Sequence, residues 1–290
     1  MGILLGLLTA LFWGGADFLA RFATHRIGTL RTTLYMQATG FVLLTIFLPW
    51  LGGWGHLADG SGWQPWGWGL LAGALNILST LTLYRSFEVG KMSVVAPLSA
   101  SYPVLTVLLS LLSGERLSAA RAAGIVCTLF GVVIVAGGEK PAEEMNSETA
   151  AQRNKGIPLA LCSAVGFGVL FWLFGIRIVP RVGAAPTVWM IRLTGTVVVA
   201  AVILLARQPI KLPPTHVSGW ILGMGILDTT AFVLNNRGMQ IEQVAVVSVL
   251  ASLYGAVTVA LAAIFLREHV SRWQWAGIVF IFAGIYLISR

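Results

Sequence analysis

Three charged side chains stand well inside long apolar runs of this sequence: Asp17, Arg192 and Asp228. A charge near the centre of a bilayer costs roughly 2.5–3.5 kcal/mol, so each calls for a partner, a wet cavity or a task. Asp228 lies mid-run beside Thr229 and Thr230. One reading has it meeting an amine or guanidinium of a solute, or taking up a proton; the other has it held in a static ion pair with Arg192. Arg192 in turn suits a solute carboxylate, which its planar fork grips well. Asp17 and Arg21 are four residues apart and share a helix face, which predicts an ion pair, with gating or coupling as the alternative role.

Aromatic residues supply the second chemistry. Trp13, Tyr102, Trp172 and Trp189 fall deep within apolar runs, where they form either a wall for an apolar or cationic solute or plain helix packing. Trp63, Trp66, Trp68, Trp220, Trp273 and Trp275 sit near run ends, as interfacial anchors do. Pro97 and Pro103 interrupt one run and predict a bent or broken helix. Catalytic chemistry finds no set of residues to carry it. His25, His56, His216 and His269 have no metal-ligand spacing, Cys127 and Cys162 lie in apolar segments, and no phosphate-binding Gly-Lys-Ser/Thr motif occurs. No catalytic site, metal or cofactor is expected, and an ATP-driven pump is disfavoured.

The elements that must position these groups are transmembrane helices. Of 290 residues, 57% are hydrophobic and 10% charged, with a mean hydropathy of +0.84, against about 25% charged in soluble domains. The expected fold class is an all-α integral membrane protein with ten spans: 2–22, 32–51, 66–85, 93–113, 120–137, 157–177, 185–206, 217–236, 244–265 and 273–289. The first of these reads as a spanning helix rather than a signal peptide. The runs are apolar all round, which argues against a barrel. The net charge of +8 belongs to loop Lys and Arg that anchor helices, so no nucleic acid partner is expected.

Sliding the chain along itself by 152 residues reveals a repeat. Gly14 falls on Gly166, Gly67-Trp68 on Gly219-Trp220, Asn76 on Asp228, Arg85 on Arg237, Tyr102 on Tyr254 and Thr106 on Thr258. A one-residue slip then sets Gly124 on Gly277 and Gly131 on Gly284. Each half holds five spans, an odd number, so the halves enter the membrane from opposite sides: two inverted five-helix repeats. The expected division is residues 1–137, a polar linker 138–155, and residues 156–290. An inverted two-fold would bring Asn76 and Asp228 to similar depth near the midplane.

With Trp13-Gly14, Pro103, Gly114-Glu115-Arg116-Leu117, the glycine-rich stretch 124–138, Arg192, Arg267-Glu268 and Gly277 to Gly284 in place, the chain resembles the drug/metabolite transporter superfamily, in particular its EamA-type members, along nearly its whole length. It departs from that pattern at Gly40, where the symmetric arginine would stand, and at Gly255, opposite Pro103. The resemblance implies transport of small metabolites through a cavity lined by both repeats, with both termini in the cytoplasm. The Lys and Arg tally points the other way, six on the terminal face against twelve on the opposite face.

The combined expectation is a secondary-active carrier, an exporter or exchanger, of small metabolites such as amino acids or related amphipathic solutes. It would sit in the inner (plasma) membrane as a monomer or homodimer and work by alternating access with protons as coupling ion. The substrate site is expected at Trp13, Asn76, Tyr102, Trp172, Trp189, Arg192, Asp228 and Tyr254, and coupling or gating at Asp17, Arg21 and Asp228. Glu115 and Glu268, at helix ends, are read as structural or gating. A flippase or carrier of a lipid-linked substrate is the alternative; a membrane enzyme or sensory subunit is the rival from another class.

Overall fold

Apolar runs that cross lipid must bond every backbone group internally, and helices do this span by span. The computed structural model describes residues 1–90, 92–137, 147–266 and 272–289, and every regular element among them is helical. The first half contains α1 (Gly2–Ile27), α2 (Thr29–Phe47), α3 (Gln64–Val89), α4 (Met92–Ser99), α5 (Pro103–Leu112) and α6 (Ala119–Gly137). The second contains α7 (Ser147–Leu173), α8 (Val179–Val182), α9 (Ala184–Leu205), α10 (Thr215–Ile241), α11 (Val244–Ala251), α12 (Tyr254–Leu266) and α13 (Arg272–Ile288). Among the described residues six helices are long and apolar enough to cross a membrane alone, and shorter apolar helices accompany them. Arg267, Glu268, His269 and linker residues 138–146 lie outside the described residues, whereas residues 147–155 of the expected linker are already part of α7.

Three local departures from α-helix matter. Pro103 cannot donate to the preceding turn, and the fourth span parts there into α4 and α5. The ninth span parts at the matching place, between α11 and α12, although Gly255 stands opposite Pro103. There the Ser252 hydroxyl donates back to the Val249 carbonyl at 2.8 Å, a side-chain bond that competes with the helix ladder. The sixth span ends in a π turn, Phe174–Ile178, before α8. Pro180 follows, and its ring would crowd the carbonyl four residues back in a regular helix.

The inverted two-fold can be read from reciprocal contacts, in which a residue and its counterpart exchange partners. Where α6 crosses α13, a Cβ on Gly124 would stand 2.8 Å from the Gly284 carbonyl oxygen, and one on Gly131 would stand 2.7 Å from that of Gly277. Small residues let these helices touch along their backbones. Likewise α1 packs on α10 as α3 packs on α7.

The same reciprocity corrects the register of the repeat. Thr258 Oγ1 donates to the Gly14 carbonyl at 3.3 Å, and its counterpart Thr106 donates to the Gly168 carbonyl at 3.0 Å. Gly168, not Gly166, is therefore the structural counterpart of Gly14. In the next pair of spans Gly40 lies against Arg192 and Gly195 against Gln37, so Gly40 pairs with Gly195 and Arg192 with Gln37. A single sliding offset missed this, because the connection between α2 and α3, residues 48–63, is longer than that between α9 and α10, residues 206–214. Leu11, Leu78, Phe130 and Val165 point outward, while Gln37, Asn76 and Arg192 are wholly buried, the inside-polar arrangement a membrane requires.

Candidate functional site

A chain of four polar side chains crosses the pseudo-two-fold axis. Arg192, on α9, donates from Nη2 to Asp228 Oδ2 on α10 at 2.6 Å and from Nη1 to Gln37 Oε1 on α2 at 2.8 Å. Gln37 passes the chain on, its Nε2 donating to Asn76 Oδ1 on α3 at 3.3 Å. Gln37 is the counterpart of Arg192 and Asn76 that of Asp228, so one half of the chain is an ion pair and the other its neutral likeness. Arg192 needs room that only glycine leaves: a Cβ on Gly40 would sit 2.8 Å from Arg192 Cδ. Its guanidinium carbon also stands 5.1 Å from the Phe232 ring centroid, a cation–π distance.

Beside the ion pair lies the central cavity, walled by Trp13, Asp17, Thr80, Leu83, Tyr84, Tyr102, Phe167, Phe171, Asp228, Phe232 and Tyr254. Its water-accessible volume is about 30 Å³, room for only a few waters. The rings interlock: Trp13 lies 5.3 Å from Phe171, 5.1 Å from Phe232 and 6.1 Å from Tyr254 between centroids. Tyr102 and Tyr254, repeat counterparts, stack across the axis at 6.5 Å. Both hydroxyls are engaged, Tyr102 donating to the Ser248 carbonyl at 3.0 Å and Tyr254 to Ser99 Oγ at 3.3 Å. The Trp13 indole and the Asp228 carboxylate both face this cavity.

Of the residues expected from the sequence, Trp13, Tyr102, Asp228, Tyr254 and Asp17 wall this cavity together. Arg192 stands behind Asp228 and Asn76 at the far end of the polar chain. Trp172 is elsewhere, its indole donating to Ser113 Oγ at 2.8 Å. Trp189 is also elsewhere, packed on Phe41 and Trp54 and donating to Thr45 Oγ1 at 2.9 Å. The expected Asp17–Arg21 pair does not form. Asp17 turns inward at 5% exposure while Arg21 is half-buried, and no ion pair or hydrogen bond joins Asp17 to any described residue.

Gln37, Tyr84, Phe167, Phe171 and Phe232 were missed as site residues. Gln37 carried a usable signal, a lone amide in an apolar run at the place that answers to Arg192 in the corrected register. The phenylalanines carried none, since apolar residues fill both lipid-facing and cavity-facing positions.

A second polar cluster seals the terminal face. Glu115 accepts the first N–H groups of α11, from Val244 at 2.7 Å and Ala245 at 3.2 Å, compensating the unpaired donors and positive dipole of a helix start. Arg121 pairs with Glu242 at 2.8 Å and donates to Gln243 at 2.6 Å. Gln243 then donates to the Arg116 carbonyl at 2.7 Å. This clasp joins the two repeats, and Gly90, the counterpart of Glu242, supplies no carboxylate for a second one.

The sequence profile of the EamA-like transporter family matches residues 1–137 and again residues 154–290. An uncharacterized protein of Methanocaldococcus jannaschii is 29% identical over 134 residues, which is 46% of this chain and 94% of that protein. A solved crystal structure superimposes with a TM-score of 0.77 at 20% identity, covering 99% of this chain and 95% of that one; at that identity the likeness is one of fold.

Proposed function

The chain belongs to the EamA-like transporter family, and from that premise we propose that it is a secondary-active carrier of small metabolites, an exporter or exchanger working by alternating access in the plasma membrane. The observation that carries this reading is the central cavity, where a buried carboxylate without a partner, Asp17, faces an ion pair and a ring of aromatic side chains. Such a group is expensive to keep within a membrane-spanning bundle and serves a carrier that exchanges protons or solute there.

Alternating access follows from the inverted repeat, because the packing of each half can be taken up by the other. In the present state the void is too small for a metabolite and the terminal face is clasped by Arg121, Glu242 and Gln243. Loading therefore requires one face to part. Asp17 is the coupling carboxylate in this scheme, since Asp228 is already committed to Arg192.

The test is an efflux assay on proteoliposomes loaded with amino acids, sugars, nucleosides and amines, read by mass spectrometry with and without a pH gradient. Selective loss of one solute class, accelerated by the gradient, is the expected result. Loss no faster than from protein-free vesicles, with folded protein confirmed by gel filtration, removes the soluble-metabolite reading and makes a lipid-linked substrate the next to test.

A further inference from the structure

Resting on the carrier reading, we propose that the central cavity selects monovalent organic cations with an aromatic or apolar body over zwitterions and anions, Asp17 being the group that receives their charge. Asp17 is 5% exposed, walls the cavity, and has no ion-pair or hydrogen-bond partner among the described residues. Asp228 already holds Arg192 at 2.6 Å, and Arg192 is wholly buried and absent from the cavity wall: its Nη1 and Nη2 are directed at Gln37, Met36 and Asp228, and its Nε, though unpaired, is buried against the place a Cβ on Gly40 would take. Among the described residues no cationic side chain therefore faces the void to receive a carboxylate, which withdraws Arg192 from the carboxylate-binding role the sequence suggested.

The remaining groups around Asp17 point the same way. Asp228 on α10 adds negative potential to it, and the titratable neighbours on the other helices are the neutral phenols Tyr84, Tyr102 and Tyr254. The Tyr102 and Tyr254 hydroxyls are spent on Ser248 and Ser99. What these residues and Trp13 offer a solute is ring surface, which attracts cations through its negative face and apolar bodies by burial. A zwitterion entering here would satisfy its ammonium and strand its carboxylate against Asp228, and an unpaired buried charge is strongly disfavoured.

Three indoles of one body and different charge test this: N,N,N-trimethyltryptammonium, tryptophan and indole-3-propionate. Binding to the full chain in detergent is read by equilibrium dialysis, and counterflow in proteoliposomes is read in parallel. The cation should be preferred over tryptophan on the order of a hundredfold, the ratio implied by one unpaired charge in membrane surroundings, and the anion should not bind. Asp17→Asn should abolish that preference while Asp17→Glu retains it, both variants eluting from gel filtration as wild type does. Tryptophan bound as well as the cation, or a cation preference that survives Asp17→Asn, overturns the proposal. If the efflux assay shows no transport yet the cation binds through Asp17, the carrier reading fails and the cation site stands; if a zwitterion or anion is carried and the cation does not bind, the reverse holds.

Discussion

The two halves of the polar chain at the pseudo-two-fold axis occupy equivalent places and solve the same packing problem with different chemistry. On one side Arg192 and Asp228 form an ion pair of 2.6 Å; on the other Gln37 and Asn76 form a neutral hydrogen bond of 3.3 Å. Gly40 gives way to the arginine and Gly195 to the glutamine, with a Cβ on Gly195 falling 2.7 Å from Gln37 Cδ. Two arginines could not meet across this axis in a buried site without repelling each other, so a duplicated sequence had to become unequal where its halves touch. The neutral half shows that the scaffold tolerates an uncharged version. The charged half is thus retained for a property other than packing, such as committing the Asp228 carboxylate in the cavity wall to Arg192.

Breaking one partner of the charged half should produce the largest effect. Arg192→Gln leaves Asp228 buried without its counter-ion, and we expect a loss of about 3–5 kcal/mol, measured as chemical unfolding in detergent. The double variant Arg192→Gln with Asp228→Asn copies the neutral half and should recover most of that loss. Recovery of stability together with abolished transport would separate the charge from the fold, whereas a double variant as unstable as the single one would refute the equivalence of the two halves. Asp228→Asn alone leaves Arg192 buried without its counter-ion and should likewise cost stability while stopping transport, measured on the protein that mild detergent extracts.

The glycines sharpen the comparison at smaller magnitude. Gly40→Ala and Gly195→Ala both force a methyl into an occupied place, with an overpacking cost of roughly 1–3 kcal/mol each. The former should cost more, because its neighbour Arg192 is fixed by an ion pair and Gln37 is not. Equal midpoint shifts for the two variants in thermal unfolding would show that the ion pair does not stiffen its half.

The smallest effect belongs outside the symmetric core, in the connection between α2 and α3. Hydrogen bonds from Ser61 and then from His56 hold the Asp59 carboxyl down to about 2. A depressed folded-state value stabilises this turn above the ordinary carboxylate range near 4, and the contribution is lost as pH falls from there through about 2. Proteolysis of this connection should accelerate only in that window and should lose its pH dependence in Asp59→Asn. Transport between pH 5 and 8 should be unchanged.

The fold was legible because lipid imposes a crude and strong rule: long apolar runs become helices, and an odd number per repeat inverts the second copy. The break of the fourth span announced itself through Pro103, but that of the ninth did not, because there the Ser252 hydroxyl bonds back to the Val249 carbonyl and Gly255 stands in place of a ring. The site was legible where charge stood out against an apolar background, as with Asp17, Arg192 and Asp228. It was illegible where aromatic residues had to be sorted between cavity and periphery, as with Trp172 and Trp189 against Phe171 and Phe232.

The amino-acid sequence thus determined the number of spans, their duplication and the presence of charges that need a reason. Only the tertiary structure decided which charges meet. Asp17 shares a helix face with Arg21, yet it turns to a cavity that four other helices enclose, and Arg192 finds Gln37 across an axis whose register a sliding comparison misplaces by three residues. Spacing along one helix fixes which side chains are neighbours on that helix; which of them become partners depends on the helices packed against it, where a shift of a single turn changes every contact.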